Sequence, residues 1–196
     1  MSISYPLSLP TSGISNITLD MTDMTAISAS PFTGQQQVYR HQGQMWSAAI
    51  TVGGPMERDV AETWIVFLAK LKGQYGTFLM GDPAGVAPQG TVTSCTVNGA
   101  SQTGETLSVN MTGSLVAGDY IQVGTGLTSR LHKVLTTRTG SGTLDIWPRL
   151  RESPTTGSAV VYNSPVGLFR LKTNERSFSW RSPVLGSVQF SAVEAI

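Results

Sequence analysis

The run Trp46-Ser47-Ala48-Ala49-Ile50-Thr51-Val52 passes through Gly53-Gly54-Pro55 into Met56-Glu57-Arg58-Asp59-Val60-Ala61-Glu62-Thr63-Trp64-Ile65-Val66-Phe67-Leu68-Ala69-Lys70-Leu71-Lys72-Gly73, and the hydrophobic period changes on the way. In the first run Trp46, Ala48, Ile50 and Val52 recur at every second position, which marks a strand with one buried face. In the second, Met56, Val60, Ala61, Trp64, Phe67, Leu68 and Leu71 fall mostly at spacings of three and four, the stripe of an amphipathic helix. Both ends of that helix are punctuated. Pro55 stands near the first helical position, Glu57 and Asp59 lie in the first turn, Lys70 and Lys72 in the last, and Gly73 supplies a C-terminal stop. The spacing predicts one helix over about 55–72, roughly 25 Å long at about 1.5 Å per residue. That is enough to cover one face of a small sheet, so a helix packed on β structure is expected.

Outside the helix the period-two pattern dominates. Ile17, Leu19 and Met21 alternate with polar neighbours. The polar segment Gln35 to Gln37, followed by Val38-Tyr39-Arg40, leads to a turn-like His41-Gln42-Gly43-Gln44 ahead of Trp46, which predicts a hairpin turning at 41–44. Further strands are expected at Thr77 to Met80, Thr91 to Val97, Thr106 to Met111, Tyr120 to Val123, Leu131 to Thr136, Thr143 to Trp147, Ala159 to Tyr162, Gly167 to Lys172, Ser177 to Arg181 and Ser187 to Ala192. Short strands divided by Gly-rich turns indicate a sandwich or a barrel.

The chain has 196 residues with 13 Lys+Arg against 12 Asp+Glu, and only 13% of positions are charged, about half the usual share. Its polarity comes instead from 21 Gly, 22 Ser and 23 Thr. A net charge of +1 without runs of like charge argues against a dedicated binder of nucleic acid or anionic membrane. No apolar window is long enough to span a bilayer, and Met1 to Pro10 lacks the basic and apolar regions of an export signal, so a soluble chain recognised by shape is expected. Charge is scarcest between Pro83 and Arg130, where only Glu105 and Asp119 carry any. The turn-like strings Asp82-Pro83-Ala84-Gly85 and Asn163-Ser164-Pro165 bracket this region. The expected organisation is therefore an outer β-sandwich domain with the helix, residues 1–83 and 165–196, and an inserted all-β module over 84–164, a small barrel of the oligonucleotide/oligosaccharide-binding type.

The chemistry-bearing residues are thin. The single Cys95 excludes an internal disulfide and, with only His41 and His132 as imidazoles, a four-ligand Cys/His zinc site. No Gly-x-Ser-x-Gly elbow accompanies either histidine, and the Gly-rich turns lack the lysine and the strand-loop-helix order of a phosphate cradle. Glu57, Asp59 and Glu62 read as solvent-side helix charges rather than a catalytic pair. A chain without catalytic residues, cofactor or metal is expected. Arg130, Lys133, Arg138, Arg149 and Arg151 fall in one 22-residue window. They form a candidate basic surface of the inserted module, read as a rim or interface before a nucleic-acid platform, because the module has few aromatics to stack bases.

Several strings resemble a known family. Ser30-Pro31-Phe32-Thr33-Gly34-Gln35-Gln36-Gln37, then Trp46 to Val52, the helix, and Gly73-Gln74-Tyr75-Gly76-Thr77-Phe78-Leu79-Met80-Gly81-Asp82-Pro83 are similar to the N-terminal region of distal tail proteins of long-tailed, non-contractile bacteriophages. The likeness continues through Ala117-Gly118-Asp119-Tyr120-Ile121-Gln122, Arg130-Leu131-His132-Lys133-Val134-Leu135 and Leu144-Asp145-Ile146-Trp147-Pro148-Arg149-Leu150-Arg151, and ends in Phe178-Ser179-Trp180 and Val188-Gln189-Phe190-Ser191-Ala192. The resemblance implies a virion structural protein at the distal end of the tail, six copies closing a ring between the tail tube protein and the hub and fibre proteins. Some members carry an outward-facing β module that touches host-surface glycan, and the alternative reading is such a carbohydrate-binding module. The resemblance implies neither specific nucleic-acid binding nor membrane insertion. A ring of identical subunits needs head-to-tail interfaces depleted in charge at their centres. Tyr39, Trp46, Tyr75, Phe78 and Trp180 are the interface candidates, each with the competing reading of a core aromatic.

Overall fold

The structure, a computed structural model, describes residues 3–181 and 184–196. It is mainly β, with 51% strand and 12% helix. The two ends of the chain build one sheet from β1 (Leu7–Ser8), β2 (Ile14–Ala29), β3 (Gln36–Met56), β4 (Thr77–Met80), β12 (Gly167–Leu171), β13 (Ser177–Arg181) and β14 (Val184–Glu194). Their order is β1-β4-β12-β14-β3-β2, with β13 added to β14. Helix α1 (Arg58–Lys70) lies on this sheet. Its stripe of Ala61, Trp64, Phe67 and Leu68, continued by Leu71, is buried against Ile50, Val52, Phe78 and Phe190. Burying each of these large side chains contributes roughly 1.5–3 kcal/mol, and the Trp64 indole also donates to the Ser12 carbonyl at 2.7 Å. The helix begins at Arg58 rather than at 55 because β3 keeps its ladder with β14 as far as Met56. It stops where Lys72 and Gly73 both turn left-handed, at φ 52° and 71°.

The middle of the chain forms a second sheet from β5 (Ser94–Val97), β6 (Gly104–Thr112), β8 (Tyr120–Val123), β9 (Arg130–Val134) and β11 (Gly142–Leu150), in the order β5-β6-β11-β9-β8. The short β7 (Ser114–Leu115) and β10 (Arg138–Thr139) pair apart from it. The sheet curls into a half-barrel. No regular strand forms at 159–162, yet this segment spans the opening between the two edge strands. On one side the Val160 N–H donates to the Cys95 carbonyl at 3.0 Å, and on the other Gln122 and Val161 exchange bonds of 2.7 and 2.9 Å.

Each sheet has its own core, and the two meet on β9 and β11. Leu131 and Trp147, with Tyr120, join the helix-side core, while Val134, Leu144 and Ile146 join the half-barrel core. Successive residues of a strand point to opposite faces, so β9 and β11 are covered on both.

The hairpin of β2 and β3 differs from the sequence expectation. Its turn is Ser30 to Gln35, closed by the Ser30 N–H on the Gln35 carbonyl and the Gly34 N–H on the Ser30 carbonyl, both at 2.9 Å. The segment 41–43 is instead a bulge inside β3, where the register jumps from Asp23↔Gln44 to Thr25↔Arg40 opposite Met24. Gly43 lets the Met24 side chain lie close over the bulge, since a Cβ would meet the Met24 sulfur at 2.6 Å and push that exposed side chain aside.

Candidate functional site

β14 leaves β3 at Ser47, and from Trp46 to Gln36 the only strand paired with β3 among the described residues is β2. The hairpin therefore continues beyond the sheet as a two-stranded arm, nine residues of β2 (21–29) against eleven of β3 (36–46) with the bulge, roughly 30 Å at about 3.3 Å per residue. Its outer part carries apolar groups on both faces. Ile27 and Val38 are cross-strand partners on one face, and Met24 and Tyr39 lie on the other, all exposed. At the tip Phe32 is 94% exposed. An isolated two-stranded ribbon is at best marginally stable in water, and soluble chains rarely leave such apolar groups together unless something covers them. The outer edge of β2 is also only lightly guarded, with Asp20 and Asp23 as its charges. Its 16 residues contain no Lys, Arg or Pro, the usual devices that keep a long edge from pairing with another chain.

The root of the arm is built in detail. Trp46 stacks edge-on against Trp147 at 4.6 Å and its indole donates to the Leu131 carbonyl at 2.9 Å. The Trp147 indole reaches across to the Asp23 carboxylate at 3.1 Å. Gln44, fully buried, donates to Glu105 at 3.0 Å and accepts from the Arg149 N–H at 2.8 Å. Arg151 donates to Glu194 at 2.9 Å and to the Gln44 carbonyl, and Glu194 accepts from the Trp46 N–H at 3.3 Å. Arg40 forms a two-pronged pair with Glu105 on the surface, of a kind that contributes little in water. The base of the arm is thus held on the β3 side by β6, β11 and β14 and on the β2 side by β11 through Asp23, while the ribbon beyond it is kept together by the β2–β3 ladder.

This geometry sorts the sequence candidates. Tyr39 stays exposed on the arm, 4.7 Å from His41, and Tyr75 is 74% exposed at the far side of the sheet, edge-on to Tyr5. Trp46 and Phe78 are corrections: at 1% and 0% exposure they are core residues and offer no surface to a partner. The Trp180 backbone belongs to β13, but its side chain lies outside the described residues. The basic surface is also a correction, because the five residues do not share a face. Arg130 is buried and donates to the Ala195 carbonyl at 2.8 Å, and Arg151, its side chain 10% exposed, is turned into the arm root. Lys133 lies 4.4 Å over the Tyr120 ring, Arg138 is tied to the Ser141 carbonyl, and Arg149 is half-buried. The arm itself escaped the sequence reading.

His132 is fully buried beside these arginines, its Nδ1 donating to the Pro148 carbonyl at 2.7 Å. Burial, and then the charges of Arg151 and Arg130, push its pKa down to about 4 against the opposing Pro148 bond. Because the unfolded chain takes up this proton near its ordinary value and the folded one does not, stability should be full above about pH 6.5 and fall by about 3 kcal/mol on the way to pH 4. Denaturant titrations of wild type and His132→Gln across that range check this, the variant losing that part of the slope. Cys95 is buried in β5 and burial raises its thiol to about 11, so it is no nucleophile at neutral pH. Among the described residues no three His, Cys, Asp or Glu side chains gather as a metal site, and no helix is long and apolar enough to cross a membrane.

No family model matches the chain, and no curated protein matches it.

Proposed function

We propose that this protein is a structural component of a bacteriophage virion, a distal tail protein whose copies close a ring between the tail tube and the tail-tip hub and fibres. The observation that carries this reading is the arm: about 30 Å of two-stranded ribbon, rooted in buried polar contacts and apolar on both faces. Work done by such a part is positional, so the rigid root and low charge matter more than any reactive side chain. The resemblance of the chain's strings to distal tail proteins supplies the ring and its neighbours.

A second reading, a host-glycan-binding module, has one observation in its favour. The half-barrel carries a cleft of about 330 Å³ whose lining residues include Thr125, Thr128, Ser153 and Ser158 together with Arg130 and Glu152. Light scattering after size exclusion, with negative-stain images of the same fraction, separates the two. Closed rings support the tail reading; a single-chain species that binds glycans on an array supports the module and overturns the ring.

A further inference from the structure

The same molecule carries a knob and a hole, and they sit toward opposite ends of one strand. The knob is Phe32, in an uncharged tip of Ser30-Pro31-Phe32-Thr33-Gly34. The hole is a cleft of about 420 Å³ at the start of β2, lined by Leu9, Ile14, Ile17, Leu79, Val86 and Val166. One charged residue borders it, Asp82, and that carboxylate already caps the next turn by accepting from the Ala84 N–H at 2.9 Å. The groove beside α1 offers similar room but is edged by Asp59, Glu62 and Lys70, a poorer match for an uncharged aromatic tip.

The tip cannot reach its own cleft. From Ile17 to Ala29 the chain runs as continuous β2, which holds the two apart by roughly 40 Å at about 3.3 Å per residue. We propose that Phe32 of one copy seats in the Ile14–Ile17–Val86 cleft of the next copy. A knob and a hole at separate places on one surface make a head-to-tail contact, which closes into a ring where its rotation divides a full turn. The proposal rests on the ring reading and adds to it the two surfaces that meet.

Two variants test it, both at exposed positions where the fold should be unaffected, as a melting curve verifies. Phe32→Ser removes the knob; Val86→Glu places a charge in the hole. By light scattering and sedimentation, wild type is expected to assemble, and each variant alone to do so at least tenfold more weakly. An equimolar mixture should form a pair, because one intact knob then meets one intact hole and cannot extend further. If wild type assembles and Phe32→Ser or Val86→Glu assembles equally well, or the mixture shows no pair, this docking is overturned while the ring reading stands. If wild type stays a single chain at every concentration, both fall together.

Discussion

Excising residues 24–43 and closing the hairpin with Asn-Gly is expected to abolish self-assembly while leaving a folded single chain. Asp23 and Gln44 are cross-strand partners, so a two-residue turn of the type Asn-Gly favours fits the remaining register. The excision removes no residue of either core. It also removes the Arg40–Glu105 surface pair, worth about 0–1 kcal/mol, so the melting transition should move by only a few degrees. Assembly loses far more. Met24, Ile27, Phe32, Val38 and Tyr39 all leave with the arm, and if each gains about 1.5 kcal/mol on burial the loss is about 7.5 kcal/mol. That corresponds to about five orders of magnitude in affinity. Sedimentation of the excised protein reads this directly: an assembly indistinguishable from wild type would show that the arm is not what joins the copies.

The largest effect on stability is expected at the arm root. Arg151→Met leaves Glu194 buried without its cation, and such a break costs about 3–5 kcal/mol. Their side chains are 10% and 3% exposed, so water cannot take the place of the lost partner. Replacing both, as Arg151→Met with Glu194→Leu, should recover a large part of that loss, since an ion pair exchanged for apolar side chains of similar size is often nearly neutral. The recovery tests whether the cost lies in the orphaned charge. Urea titrations of the two single variants and the double variant form the cycle. A single variant that loses less than about 1 kcal/mol would mean that the pair is not what organises the root.

What could be read from the chain follows which faces are buried. Trp46 to Val52 and the helix stripe announce themselves because each has one wet face and one dry face, and the observed burial alternates accordingly. The same logic explains the failures. Along the arm both faces are exposed, so the period-two signal ends at Met21 and resumes at Trp46. In that gap a polar, Gly-containing bulge at 41–43 imitates a turn. On β9 and β11 both faces are covered, and charged residues that look like a surface cluster are folded inward. Arg130 and His132 alternate with Leu131, which belongs to the other core. Nothing local distinguishes an arginine on a sheet covered twice from one on a rim. The partners that hold these residues, Glu194, Ala195 and Gln44, are between 65 and 107 positions away for Arg130 and Arg151, or 43 in the case of Glu194.

The double coverage of β9 and β11 also limits how the half-barrel can be exchanged. A grafter who cut at the two turns bounding it and transplanted a foreign barrel would remove Tyr120, Leu131 and Trp147, and with them one wall of the recipient's helix-side core. Such a chimera should inherit a hole under Trp46 and a loosened lever in place of the arm. The portable part of the barrel is its far side, β5 and the connections around 98–103, where neither the helix-side core residues nor Glu105 of the arm root lie. Diversity in what this protein presents outward should therefore accumulate there, with Trp147, Arg151 and Leu131 kept as the fixed hinge plate behind it.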